Sequence, residues 1–386
     1  MIKLKHVILL LEWYDYRIHR GVAKVAREAG WQLNCPKDPT ANGGILNRWK
    51  GDGCIALLQC RDTLEYFRTH KIPVVDMGLG NHHLPIPRVV TDNRQIGRLA
   101  AEHFRDHGYR EVFALNPANV PMYRERFNAI KDYMEADGGT VVELETEETR
   151  LPELISELKE IAQRRGNRLE ELSLGFFAYH DNMAAQIISL CLQNELRVPE
   201  NIAVLGVDND DLINAGLTIS LSSIDTDQEG LGRQAALLLR HMLDDTTFTP
   251  HEDTLIRHSP KNVVVRSSTD CYAVRNPLVA DALHWIKHNF HKGIQAADIA
   301  EAMGVTQQGL QKAFSTNYSR SPGQEIRHQR IQTVAHLLGS TNAGLQDIAK
   351  NCGFNSVDTL ISSFRREFNT TPGQYRKQRR QEMKTH

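Results

Sequence analysis

The sequence predicts an α/β body followed by a smaller all-helical tail. Three observations predict it. Over residues 1–265 short apolar runs alternate with amphipathic segments, and strand signals then disappear. The tail contains an internal repeat. The charge also divides. Residues 275–386 carry 15 Lys/Arg against 8 Asp/Glu, so a +7 tail follows a −8 body inside a chain of net charge −1.

The body is read element by element. Val7–Leu11 is a first buried strand, and the Ile18–Ala29 segment has helical period. Lys3 and Lys5 ahead of that strand imitate a signal peptide, but Glu12 ends the apolar run too early and no small-residue cleavage site follows. Cys54–Leu58 and Pro73–Met77 are strands with helical Leu64–His70 between them. Val89–Thr91 is a short strand, after which Ile96, Leu99, Ala100, His103 and Phe104 recur at helical spacing. Strands Val112–Leu115, Val141–Leu144, Leu174–Tyr179 and Ile202–Val207 alternate with helices marked by Phe127, Ile130 and Met134, by Leu154–Ile161 and by Met183–Asn194. Leu221–Ile224, the helical Gly232–Leu243, and two β-branched runs at Thr254–Ile256 and Val263–Val265 close the body. Such alternation implies parallel sheets covered by helices, and some 260 residues fit two lobes better than one sheet. The polar stretch 266–276 ahead of Pro277 reads as a linker.

The tail, residues 277–386, repeats one unit twice. Asp298-Ile299-Ala300 with Gly304 recurs as Asp347-Ile348-Ala349 with Gly353. Leu310, Phe314, Tyr318 and Pro322-Gly323-Gln324 recur as Leu360, Phe364, Phe368 and Pro372-Gly373-Gln374. Gly304 and Gly353 stand where a helix ends and the chain turns, a position that favours positive φ. Thr306 and Ser356 suit the N-cap of the next helix. The i, i+4, i+8 aromatic and aliphatic positions give each second helix one buried face and one free face. Ser321 to Gln324 and Thr371 to Gln374 read as capping boxes with proline at the first helical position. The unit is a helix-turn-helix, in tandem, joined by the helical Glu325–Leu338. An all-helical protein-docking domain is the alternative, but the +7 charge and the basic run Arg376-Lys377-Gln378-Arg379-Arg380 favour DNA.

These tail residues resemble the AraC/XylS family of transcription regulators. Gly353-Phe354-Asn355-Ser356 through Phe364, Phe368, Thr371-Pro372 and Tyr375-Arg376 carry that resemblance. It implies that the free faces of the two second helices enter successive major grooves. By position these faces are Gln307, Gln308, Gln311 and Lys312, then Val357, Asp358, Thr359 and Ser362, with the capping Ser356 also a candidate DNA contact. Gln can pair with adenine, Lys with guanine, and Asp can accept from cytosine. Arg365 and Arg366, nearer the helix end, suit phosphates. A solvated helix face is the alternative for any one of them. Gly309 lies inside the first of these helices, where it costs about 1 kcal/mol of helix propensity.

The body resembles the effector domain of LacI-type repressors and periplasmic sugar-binding proteins. The resemblance rests on Thr91-Asp92-Asn93, Glu125-Arg126-Phe127, His180-Asp181-Asn182-Met183-Ala184, Val204 to Asp208, and Leu221-Ser222-Ser223-Ile224. It implies a two-lobed, type I periplasmic-binding-protein-like sensor with a ligand in the cleft. The candidate sugar contacts are Trp13, Tyr14, Asp15, Tyr16, Asp92, Arg126, His180, Asp208 and Asp227, which fall at strand ends or helix starts. Carboxylates and arginine pair with several hydroxyls at once. Asp15 and Asp208 can equally serve as helix caps or turn formers, and Trp13 as hinge packing. The His103/His107 pair, at i and i+4, reads as a solvated helix face.

The fused pair resembles sugar-responsive regulators of xylose catabolism. That resemblance implies a small sugar effector (a pentose, D-xylose first), a homodimer, a double-stranded DNA operator or promoter, and activation through RNA polymerase. A different pentose or hexose, repression, and a stand-alone sugar-binding protein stay open. No nucleophile–base pair or phosphate loop points to an enzyme. No apolar run approaches the ~18 residues of a membrane span. The six cysteines show no metal-like spacing, so reduced thiols, a cytoplasmic location, and neither cofactor nor metal are expected.

Overall fold

The computed structural model describes residues 4–36, 49–58, 61–80, 84–115, 120–144, 151–164, 166–169, 173–245, 254–270, 276–318 and 320–377. Cys60, Cys271 and the basic residues Arg379 and Arg380 lie outside them. The chain divides into two compact units. One is Met1–Arg105 with Arg110–Asp270, and the other is Asp106–Tyr109 with Cys271–His386.

In chain order the first unit contains β1 (Lys5–Leu11), α1 (Tyr16–Glu28), β2 (Trp31–Asn34), β3 (Gly53–Leu57), α2 (Arg61–Thr69), β4 (Val74–Asp76), β5 (Arg88–Thr91) and α3 (Asn93–Asp106). It continues with β6 (Glu111–Leu115), α4 (Pro121–Ala136), β7 (Thr140–Leu144), α5 (Leu151–Arg164), β8 (Leu174–Phe177), α6 (Asp181–Gln193) and β9 (Ile202–Val207). It ends with α7 (Asp211–Ala215), β10 (Ser222–Ile224), α8 (Gln228–Asp244), β11 (Leu255–His258) and β12 (Val263–Val264).

These strands form two sheets, so the body is two lobes. The first sheet has the order β11-β5-β4-β3-β1-β2 and the second β12-β10-β9-β8-β6-β7. All pairings are parallel except β10 with β12. Val7, Leu9 and Leu11 of β1 point into one core with Ile18, Val22 and Val25 of α1, while Ile8 and Leu10 point into another. A central strand buried on both faces is why this run is continuously apolar rather than alternating. In the second lobe Phe113, Phe176 and Val204 pack under Met183 and Ile187 of α6.

The chain crosses between the lobes near Asp92, at Asp225–Asp227, and between β11 and β12. The crossings are laced together. Asp92 N–H donates to His258 O (2.8 Å), Asp225 N–H to Asn262 O (2.9 Å) and Lys261 N–H to Asp225 O (2.8 Å).

The sequence reading missed β2 and α7, both short. The stretch read as a linker differs more. Arg266 to Asp270 belong to the first unit, and Ser268 and Thr269 are completely buried. His103 is also buried, not solvated, and its Nε2 lies 2.9 Å from Thr269 Oγ1. His107, read with it as a solvated face, is buried too.

The second unit is helical: α9 (Pro277–Asn289), α10 (Ala296–Ala302), α11 (Gln307–Asn317), α12 (Pro322–Ser340), α13 (Leu345–Asn351) and α14 (Val357–Phe368). Both turns form as the repeat implies. Gly304 and Gly353 take φ of 66° and 73°, the left-handed region that glycine enters without a Cβ penalty. Thr306 and Ser356 cap α11 and α14 by accepting from Gly309 N–H and Thr359 N–H. Ser321 and Gln324 bond reciprocally, as do Thr371 and Gln374. Leu310 and Phe314 fill the core of the first repeat, and Leu360 and Phe364 that of the second. At its 19 residues α12 spans roughly 28 Å at 1.5 Å each.

Candidate functional site

The tail presents its candidate DNA contacts outward. Gln307, Gln308, Gln311 and Lys312 are exposed on α11, opposite Leu310 and Phe314. Ser356, Asp358, Thr359, Ser362, Arg365 and Arg366 are exposed at or on α14. Asp358, Ser362, Arg365 and Arg366 line one open hollow with Ile361. Two other basic residues are internal braces. Arg330 donates to Phe290 O and Ile294 O (both 2.9 Å), tying α12 to the turn after α9. Arg376, counted from the sequence with a basic tail, donates to Ala343 O (2.6 Å). Glu325 is fully buried and accepts from Tyr318 Oη, Arg320 Nη1 (both 3.2 Å) and Gln329 Nε2 (2.8 Å). These bonds offset the cost of burying its charge.

Gly309 has no steric need to be glycine. An added Cβ would meet only Thr306 Oγ1, at 3.2 Å, the end of a side chain. Gly309→Ala should therefore stabilise the tail by up to about 1 kcal/mol. Thermal unfolding of the full chain reads this as a higher midpoint for the tail transition; a lower one means the Thr306 cap cannot adjust.

In the body, the candidate sugar contacts fall into two groups. The first surrounds Arg126, in the second turn of α4 and 2% exposed. Its Nε donates to Asn93 Oδ1 (2.8 Å) and its Nη1 to Tyr179 O. The guanidinium lies over the Tyr123 ring, 5.5 Å from its centroid. Tyr123 packs on Tyr179 at 4.4 Å, and both rings meet His180, at 5.8 Å and 4.6 Å. His180 is also the N-cap of α6, where Nδ1 accepts from Met183 N–H (3.0 Å). Asp92 stands at the first crossing and caps α3 through Gln95 N–H (3.1 Å).

The second group gathers at the N-termini of α1 and α8. Tyr16, Arg17, Arg20, Asp227, Gln228 and Lys261 are among the residues lining a cavity of about 510 Å³. Asp208 joins this group, since its Oδ1 accepts from Gln228 Nε2 and Thr226 Oγ1 (both 3.2 Å). Asp227 caps α8 through Gly230 N–H and pairs with Lys261 (2.7 Å) and His258 (3.2 Å). Burial opposes its ionisation, but those bonds outweigh it and hold the carboxyl well below the usual range. Asp15 caps α1 and is bonded by Arg17, the cap reading left open by the sequence. Trp13 and Tyr14 are 52% and 61% exposed beside them.

Asp210 caps α7 through Leu212 N–H and Ile213 N–H. Asp181 connects the two groups. It is 2% exposed and accepts from Ser223 Oγ (2.5 Å) and Asp210 N–H (2.7 Å). Burial, and then the charge of Asp208, push its carboxyl up to about 8.

Sequence reasoning missed Arg17, Gln228, Tyr123 and Tyr179. Arg17 stood two places after a chosen aspartate and Gln228 one place after another. Their importance comes from partners far away in sequence. The buried Gln228 Oε1 has no hydrogen-bond partner among the described residues, so it is a free acceptor beside Asp208.

Known proteins match this arrangement. A periplasmic binding protein-like domain model matches residues 101–269, and a helix-turn-helix domain model matches residues 299–378. The xylose operon regulatory protein of Escherichia coli (strain K12) is 27% identical over 96% of this chain and 97% of its own length. Along its whole length the chain is similar to XylR-type transcription regulators. The Haemophilus influenzae xylose operon regulatory protein is 25% identical over 94% of this chain and 95% of its own. Among solved structures, that of the xylose-binding transcription activator xylR superposes with a TM-score of 0.58 at 25% identity, covering 97% of this chain and 98% of that one. These XylR-type relatives are DNA-binding regulators rather than enzymes. The family architecture, a periplasmic-binding-protein-like sensor ahead of an AraC-type tail, is the one described above. Among the described residues no helix is long and apolar enough to cross a membrane.

Proposed function

We propose that this chain is a D-xylose-responsive activator of sugar-catabolism genes, working as a homodimer in the cytoplasm and recruiting RNA polymerase. The carrying observation is similarity along the whole chain, sensor and tail together, to regulators named for xylose. The cleft chemistry supports a polyhydroxylated ligand. Arg126, His180, Asp208, Gln228 and the exposed Trp13 and Tyr14 offer donors, acceptors and aromatic faces of the kind sugars use. In the tail, α11 and α14 contact bases, with Gln307, Gln308, Gln311, Lys312, Asp358, Thr359 and Ser362 reading edges and Arg365 and Arg366 holding phosphates.

The test is calorimetric titration of the full chain with D-xylose, L-arabinose, D-ribose and D-glucose. Saturable binding of D-xylose in preference to the others is expected. Binding of another sugar, or of none, would overturn the effector assignment. The same titration on a chain ending at Asp270 should keep the sugar heat while DNA binding disappears. DNA binding that survives this truncation would overturn the tail's role.

A further inference from the structure

Asp208 and Asn209 adopt φ of 103° and 49°, two consecutive non-glycine residues in left-handed backbone. Such strain persists only where surrounding contacts impose it. Here they come from three directions. Arg17, on α1 of the first lobe, donates from Nη1 to Asp208 O (2.6 Å) and Asn209 O (3.1 Å). Its own guanidinium is anchored by Asp15 (2.6 Å). Ser223 Oγ accepts from Asn209 N–H (2.9 Å). Arg266 Nη2 donates to Asn209 Oδ1 (2.7 Å), while its Nη1 donates to Leu221 O (2.7 Å).

Arg266 opens the segment that leads in sequence to the DNA-binding unit. Besides the Arg266 guanidinium and one backbone bond, Ser268 N–H to Ser220 O (2.9 Å), that segment is held by hydroxyl groups. Ser222 Oγ bonds both the N–H and the carbonyl of Arg266 (2.8 Å each). Ser268 Oγ donates to Val204 O (2.6 Å) and accepts from Ser222 N–H (2.8 Å). Thr269 Oγ1 donates to Ser222 Oγ (2.7 Å) and meets His103. Each of these bonds is individually modest, so one lost anchor changes how the segment is held.

We propose that Asn209 is the joint through which the effector acts on this segment, and that Arg266 reads it. This rests on the reading above that the sugar sits at Asp208. Arg17 ties the loop to the opposite lobe, so a change in lobe separation pulls on the carbonyls of Asp208 and Asn209. A strained peptide has a second, relaxed backbone state, and only one of the two aims the Asn209 amide at Arg266. The sugar and the segment then bias one two-state element, which is the physical content of coupling.

Hydrogen exchange on the full chain tests this, read in the peptide covering 263–270. With saturating D-xylose, exchange there should change by about fivefold, the low end of ordinary allosteric coupling. In Arg266→Met the change should vanish while D-xylose affinity shifts by no more than about fivefold, the size of the coupling itself, since Arg266 donates to Asn209 and Leu221. A full sugar-induced change in that variant overturns the proposal. A second arm needs no sugar, so it stands even if D-xylose fails to bind and the effector assignment falls. Arg17→Met should speed exchange in 263–270 in the wild-type background, but not further in Arg266→Met or in Asn209→Gly, which keeps the positive φ and removes the amide. Equal acceleration in all backgrounds, or none in the wild type, overturns the joint.

Discussion

Replacing Arg126 with alanine should weaken effector binding roughly 10–100-fold and destabilise the sensor by about 2–4 kcal/mol. The two effects have separate causes. The stability loss comes from what the guanidinium leaves behind. Asn93 Oδ1 and Tyr179 O are its acceptors in a site 2% exposed, and each orphaned buried acceptor costs about 1–3 kcal/mol. Relief of the buried charge offsets part of this. Packing adds to it, because the side chain also fills the space beside Tyr123. The binding loss follows from position. Arg126 fixes the carbonyl of the residue before His180 and, through Asn93, the residue after Asp92, so it sets both flanks of the cleft. Losing one charge-assisted hydrogen bond to the sugar costs about 1.5–3 kcal/mol, or roughly 10–100-fold in affinity. Arg126→Lys separates the causes, since lysine keeps the charge but cannot fork to both acceptors. Denaturant unfolding and sugar titration of the two variants are the measurements. Wild-type affinity in Arg126→Ala would make the residue purely structural.

Much of the architecture is legible in the sequence because it rests on strong local signals. Buried parallel strands require continuous apolar runs, and Val7–Leu11 and Ile202–Val207 supply them. The tail is legible down to its caps, because the repeat reads each unit twice. What escapes is set by distant partners. Trp31–Asn34 makes only an edge strand, with a single buried residue, so its apolar signal is weak. Ser268 and Thr269 look like linker residues, yet polar groups can be wholly buried when they satisfy one another, and composition cannot show that. Arg17 bonds a carbonyl 191 positions away. The candidate contacts were mostly found at strand ends, where the fold class puts ligands. The residues that organise them were found only in three dimensions.

Gly232→Ala should destabilise the body by at least about 1–3 kcal/mol, although alanine is the better helix former by about 1 kcal/mol. The reason is the crossing of α1 and α8. A Cβ on Gly232 would stand 2.4 Å from Ile18 O, and one on Gly21 would stand 2.1 Å from Glu229 O. Both obstacles are backbone carbonyls, so no rotamer change relieves them and the helices must separate. Separation thins the core shared by Ile18, Val22 and Val25 with Leu231, Ala235 and Leu239. It strains the pairs from Arg20 and Lys24 to Glu229 as well. It also has a functional consequence, because Tyr16 and Arg17 ride on the start of α1 and Gln228 on the start of α8. Effector affinity should fall together with stability. Gly309→Ala is the internal control. It makes the same chemical change within a helix, with the same propensity gain, and should move stability the opposite way. If both substitutions raised the unfolding midpoint, intrinsic propensity would outweigh the helix crossing, and the close approach of α1 and α8 would not be what positions the cavity.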